Sequence, residues 1–135
     1  MADRDLILAK LDAIERWLGR IEHETRGGDP QTLDSQNVED IFVLNLQRAV
    51  QSAIDLANHL VASEGLGLPS TLKESFALLQ THAGLSPELA ARMQAMVGFR
   101  NVAVHQYRLL DRAVLKSILA TRLGDLRAFS QYALA

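Results

Sequence analysis

Two long stretches of this chain repeat their apolar residues every three or four positions, a pattern that packed helices satisfy and strands do not. In the first, Ile7, Leu11, Ile14, Leu18 and Ile21 recur at 4-3-4-3 spacing, and Trp17 widens the stripe. In the second, Val43, Leu46, Val50, Ala53, Ala57 and Leu60 form a 3-4-3-4-3 seam. At 3.6 residues per turn each set lines one helix face. The spacing predicts helices over about Asp3–Thr25 and Asn37–Ser63, separated by a polar loop that begins at Gly27-Gly28-Asp29-Pro30. The second helix also carries a polar stripe, Asn45, Arg48, Ser52, Asp55 and His59. That stripe faces either bulk solvent or a wet cleft.

The remainder continues in the same style. Gly65 to Pro69 breaks the chain, and Thr71 with Glu74 forms a capping box for a helix over about Ser70–Thr81, with Leu72, Phe76 and Leu79 inward. Ser86-Pro87-Glu88 is a strong helix start, and that helix buries Leu89, Met93, Met96 and Val97. Gly98 within it points to close approach of a neighbouring backbone. Asp111 caps a fifth helix carrying Leu115, Ile118, Leu119, Leu126 and Phe129. The expectation is all-α: one domain over residues 1–135, an up-and-down antiparallel bundle of four to five helices joined by short loops.

Several function classes fall away. With no cysteine there is no disulfide or thiolate metal site. His23, His59 and His82 are scattered, so no metal is expected. No nucleophile elbow or phosphate-binding glycine loop is present, so no cofactor is expected. The charged opening MADRDLILAK does not read as a signal peptide, and no apolar run approaches the ~20 residues of a bilayer span, so a soluble cytoplasmic protein with no membrane role is expected. The net charge of −2 is unevenly spread. Twelve acids face six cations from Met1 to Glu64, whereas seven cations face two acids from Arg92 to Arg127. This asymmetry implies an anionic ligand at the C-terminal part, with Arg92, Arg108 and Arg112 as candidate contacts.

Within that basic part lies Arg100-Asn101-Val102-Ala103-Val104-His105-Gln106-Tyr107. Arginine holds phosphate through a planar fork of donors, and histidine moves protons near neutral pH. Together they supply what metal-free RNA cleavage needs: a base for the 2′-hydroxyl, an acid for the leaving 5′-oxygen, and a fixed cation for the charge building on phosphorus. Asn101 either orients the imidazole or holds a phosphate oxygen. On one straight helix Arg100 and His105 stand about 140° apart. Either the helix ends near His105 and the chain turns, or two subunits share the site across a two-fold axis; the second makes the better catalyst. Tyr107 closes the edge of the core or has a role of its own.

The motif resembles the R-x-x-x-x-H-x-Y signature of the HepT group of HEPN-domain ribonucleases, including the Asn after the Arg. Met96-Val97-Gly98-Phe99, Leu44-Asn45-Leu46-Gln47-Arg48 and Asp55-Leu56-Ala57-Asn58-His59 are similar to that group as well. The resemblance implies a helical homodimer with its motifs facing a cleft, Arg100 and His105 catalytic, and Asn101 supporting. It also implies an MntA-like nucleotidyltransferase antitoxin that transfers AMP from ATP to Tyr107 and so blocks the RNA substrate. Two other readings remain open: a non-catalytic HEPN-type binding module assisting a nucleotidyltransferase, and a plain helical oligomerisation domain.

Overall fold

The computed structural model describes residues 4–135, so the expected helix start at Asp3 lies outside the described residues. Among these residues six α-helices form: α1 (Arg4–Glu24), α2 (Gln36–Ser63), α3 (Leu72–His82), α4 (Pro87–His105), α5 (Arg112–Thr121) and α6 (Leu123–Leu134). Two short 3-10 segments, Pro30–Asp34 and Tyr107–Leu109, lead into α2 and follow α4.

The caps are those that the side chains dictate. Ser35, Thr71, Ser86 and Asp111 each accept a backbone N–H from the first turn of the helix that follows. Glu74 reaches back one residue beyond the cap that a capping box would use, accepting from the Ser70 N–H at 3.0 Å. α1 stops where the Thr25 hydroxyl turns back to the Ile21 carbonyl at 2.6 Å and Arg26, Gly27 and Gly28 take positive φ.

α2 is the centre of the bundle, packed on α1, α3, α4 and α6. It runs antiparallel to α1: Lys10 meets Asp55, Trp17 meets Arg48, and Arg20 and His23 share a groove with Ile41 and Asn45. Ile14, Leu18 and Ile21 of α1 and Leu46, Val50 and Ala53 of α2 are fully buried between them. Phe42, Phe76 and Phe129 fill the middle, the last two edge-to-face at 5.2 Å. Burying a ring of this size contributes about 1.5–3 kcal/mol.

Three expectations change. The single fifth helix is two, so the bundle has more than the four to five helices anticipated. The Thr121 hydroxyl bonds back to the Ser117 carbonyl at 2.7 Å, a contact that bends helices, and Arg122 widens to φ −117°, ψ −9° between the two helices. The bend lets α6 turn Leu126 and Phe129 into the core. The polar stripe of α2 divides between the two expected surroundings and a third: Asn45 and Ser52 are buried and Asp55 pairs with Lys10 of α1 at 3.2 Å, whereas Arg48 is exposed beside Trp17, on a groove that it shares with Arg16, Arg20 and His23. Gly98 meets no backbone, since a Cβ there would touch only the Lys73 ammonium at 3.7 Å.

Candidate active site at the end of helix α4

α4 delivers the motif and stops inside it. The Gln106 N–H makes the last bond of the helix, to the Val102 carbonyl at 2.8 Å, and Gln106 then turns out at φ −140°, ψ 48°. The Tyr107–Leu109 turn follows, and Asp111 caps α5 by accepting the Ala113 N–H at 2.8 Å. The helix therefore ends near His105, in line with one of the two expectations, but only after both residues have been placed. Arg100 and His105 remain on one helix, about 140° and about 7.5 Å apart along the axis. Arg100 is half-buried and His105 exposed.

The two side chains have different surroundings. Arg100 Nη1 donates to Asn101 Oδ1 at 3.2 Å, so the pair Arg100–Asn101 is one unit. Arg100 Nε is buried with no hydrogen-bond partner among the described residues. Around the motif Val104, Leu109 and Val114 are exposed apolar residues. A groove of about 670 Å³ beside them is lined by Phe99, Val102, Leu110 and Ile118.

Beyond the helix the chain is fastened to the start of α2. Tyr107 Oη donates to Asp40 Oδ1, and Gln36 Nε2 donates to the same oxygen at 2.9 Å. Burial first, and then the bond and charge of Asp40, push the phenol up to about 12. Asp40 is held below the usual carboxylate range, chiefly by that phenol and then by Gln36. Arg112 donates to the Asp34 carbonyl at 3.2 Å, Gln36 Oε1 at 3.2 Å and Glu39 Oε2 at 2.8 Å, and the Glu39 bond raises its pKa. Lys116 adds a 2.6 Å pair to Asp34. Carboxylates in the first turn of α2 also sit favourably in the helix dipole.

The arginines expected to hold RNA divide. Arg112 is engaged as described, and Arg92 lies 3.6 Å from Asp125. Arg108 is exposed and makes no ion pair among the described residues. An unforeseen cationic group stands elsewhere: Arg16, Arg20 and Arg48 lie 4.8, 5.7 and 5.0 Å from the centre of the Trp17 ring, with no carboxylate within ion-pairing distance among the described residues. Sequence reasoning also missed Asp40 and Gln36. Their i, i+4 spacing was the available signal, but nothing local ties them to Tyr107, 67 positions away. Among the described residues no cluster of three or more metal-ligating side chains occurs, and no helix is long and apolar enough to cross a membrane.

A family model described as Ribonuclease HepT-like matches residues 12–133, the span holding this site. The chain belongs to the HepT-like ribonuclease family. It is 33% identical over 125 residues, 93% of each chain, to an mRNA nuclease HepT of Shewanella oneidensis. A tRNA nuclease HepT of Aphanizomenon flos-aquae is 30% identical over 106 residues, covering 78% of this chain and 72% of its own. The fold is similar to that of a tri-AMPylated Shewanella oneidensis HEPN toxin in complex with an MNT antitoxin: TM-score 0.89 at 32% identity, spanning 96% of this chain and 97% of that one. Membership makes this HepT-like chain an endoribonuclease.

Proposed function

We propose that this HepT-like chain is a metal-independent endoribonuclease toxin of a toxin–antitoxin pair, working as a cytoplasmic homodimer with one scissile phosphate between two copies of the α4 terminus. The observation that carries the reading is local. One helix end presents an exposed His105, an Arg100 with an orphan buried Nε, and an exposed Tyr107 two residues beyond. The His105 imidazole of one subunit takes the proton of an RNA 2′-hydroxyl, which attacks the adjacent phosphorus. The other His105 protonates the departing 5′-oxygen. Arg100, steadied by Asn101, holds the charge that builds on the phosphoryl oxygens. The products carry a 2′,3′-cyclic phosphate and a 5′-hydroxyl.

The dimer is supported by the 140° separation, which turns the two groups of one copy in different directions, and by the apolar Val104, Leu109 and Val114 around the motif. Arg108 and the Trp17 arginines hold the RNA backbone, while Arg92 and Arg112 mainly hold the fold. An MntA-like nucleotidyltransferase antitoxin silences the enzyme by transferring AMP from ATP to Tyr107. The support is the similar HEPN toxin, which is AMPylated and bound to an MNT antitoxin.

The test is cleavage of single-stranded RNA by the purified protein in a metal chelator. Wild type should release cyclic-phosphate ends, and Arg100→Ala or His105→Ala should not. Cleavage that needs added Mg²⁺, or that survives both substitutions, overturns the mechanism. Tight RNA binding without cleavage favours the binding-module alternative.

A further inference from the structure

Only one acceptor among the described residues touches the hydroxyl of Tyr107, and it is a carboxylate brought from a distant part of the chain. We propose that Asp40 is the general base for AMP transfer to Tyr107, so that the toxin supplies the group that activates its own acceptor. The inference rests on Tyr107 being the modified residue.

The geometry has the order that such a step needs. Tyr107 Oη spends its proton on Asp40 Oδ1, and no described residue donates to Oη, so its lone pairs remain for attack. The ring is 44% exposed on the Tyr107–Leu109 turn, within reach of a partner enzyme. Asp40 lies in the first two turns of α2, exposed, and Gln36 steadies the same carboxylate oxygen that receives the phenol. Because burial and Asp40 keep the phenol protonated until about pH 12, phenolate is scarce at neutral pH. The proton must therefore leave while the new bond forms. Asp40 Oδ1, which already accepts that hydrogen, is placed to take it.

The step balances as follows. Tyr107 Oη forms a bond to the α-phosphorus of an ATP bound by the nucleotidyltransferase. The bond from that phosphorus to the oxygen bridging to the β-phosphate breaks, and pyrophosphate leaves with the electron pair. The phenolic proton passes to Asp40 Oδ1 and then to water. Glu39, the adjacent residue, also faces this corner but is committed to Arg112 at 2.8 Å.

The experiment measures AMP addition by intact mass, using the full chain, its nucleotidyltransferase partner, ATP and Mg²⁺. Asp40→Asn keeps the shape and an acceptor oxygen but not the basicity. It should slow transfer about 100-fold at saturating toxin, with little change in the half-saturating concentration. Its remaining rate should climb about tenfold per pH unit from 7 to 9, as phenolate becomes the nucleophile, whereas wild type stays flat. Asp40→Glu, which returns a carboxylate, should recover most of the rate and exclude misfolding as the cause. Wild-type transfer by Asp40→Asn overturns the proposal. So does a defect confined to the half-saturating concentration with an unchanged pH profile, because Asp40 would then only position the turn. If wild type itself gains no AMP, or gains it on Tyr132, the assignment of Tyr107 fails instead.

Discussion

Arg112 packs against α2 and Arg48 projects from it, and the two use their charge in opposite ways. Arg112 crosses from α5 to the first turns of α2, where it donates to Asp34, Gln36 and Glu39. Arg48, on α2 itself, lies 5.0 Å from an indole centre with no carboxylate paired to it among the described residues. Counted along the chain, Arg112 belongs to the basic segment and Arg48 to the acidic one. In space the assignments reverse. The basic C-terminal helices are folded against the acidic N-terminal ones through Arg112–Glu39, Lys116–Asp34, Arg127–Glu15 and Arg127–Glu22. Much of the cationic excess is consumed as internal pairing. The charge left to act at a distance includes Arg108 and the three arginines at Trp17, while the motif region exerts its effect through a few placed groups.

That contrast predicts effects of different size and kind. The largest belongs to the motif. Arg100→Ala and His105→Ala should each lower cleavage at saturating RNA by about 10²–10³-fold, the scale expected when a stabilising donor or a proton-transfer group is removed. His105→Ala should leave the response of binding to salt unchanged, whereas Arg100→Ala, which takes a cation from one phosphate, should lower the slope by about 0.7. Mixing wild type with an equal amount of His105→Ala should, after subunit exchange, leave about a quarter of the activity of the same total of wild type. Half the dimers would be mixed, and each of those would lack one of the two histidines that the single site needs. Activity that stays at one half, with exchange shown by tagged subunits, would confine the chemistry to one chain and remove the reason for a shared cleft.

An intermediate effect belongs to the fastening of the motif. Arg112→Ala should lower the melting temperature by a few degrees and reduce cleavage, because Glu39 loses its partner and the turn bearing Tyr107 loses its neighbour. RNA affinity should keep its salt slope; a clear fall in the slope would return Arg112 to the RNA surface. The same corner has a pH signature. The Tyr107 phenol, raised to about 12 in the folded protein, stabilises the fold fully below pH 10 and loses that contribution as pH rises through 12. Asp40, lowered, contributes at neutral pH and loses its share as pH falls through its depressed value. Asp40→Asn should bring the phenol down from about 12 yet leave it above 10, since burial is the larger cause. The phenolate absorbance, taken as a difference against Tyr107→Phe, measures it.

These differences follow what a linear sequence can express. The α1 and α2 stripes are legible because Ile14 and Leu18, like Leu46 and Val50, recur at helical period, and the caps at Ser86 and Asp111 are legible because each acts within three residues. The α5–α6 break is not, because a threonine back-bond at Thr121 competes with a stripe that looks continuous. Arg100, His105 and Tyr107 stand out by type and spacing. Asp40 does not, since its bond with Tyr107 needs α2 and the Tyr107–Leu109 turn to meet in three dimensions. The Trp17 cluster is hidden for the same reason: Arg48 reaches it only because α1 and α2 run antiparallel.

The smallest effect tests the unpaired side of the comparison. A cation held over an indole keeps its edge donors for phosphate, and its contribution is electrostatic and additive rather than geometric. Arg48→Gln should therefore weaken single-stranded RNA binding only a few-fold near physiological salt, with cleavage at saturating RNA unchanged. The informative quantity is the slope of log affinity against log salt. Every phosphate of a single strand that a substitution leaves without its cation should reduce it by about 0.7, so replacing Arg16, Arg20 and Arg48 together should reduce it by about 2. Replacing Arg92, whose charge lies 3.6 Å from Asp125, should leave the slope nearly as it was. If the Arg92 variant loses slope and the triple variant keeps it, then RNA follows the charge counted along the chain, and the pairing at the C-terminal helices gives way when the ligand arrives.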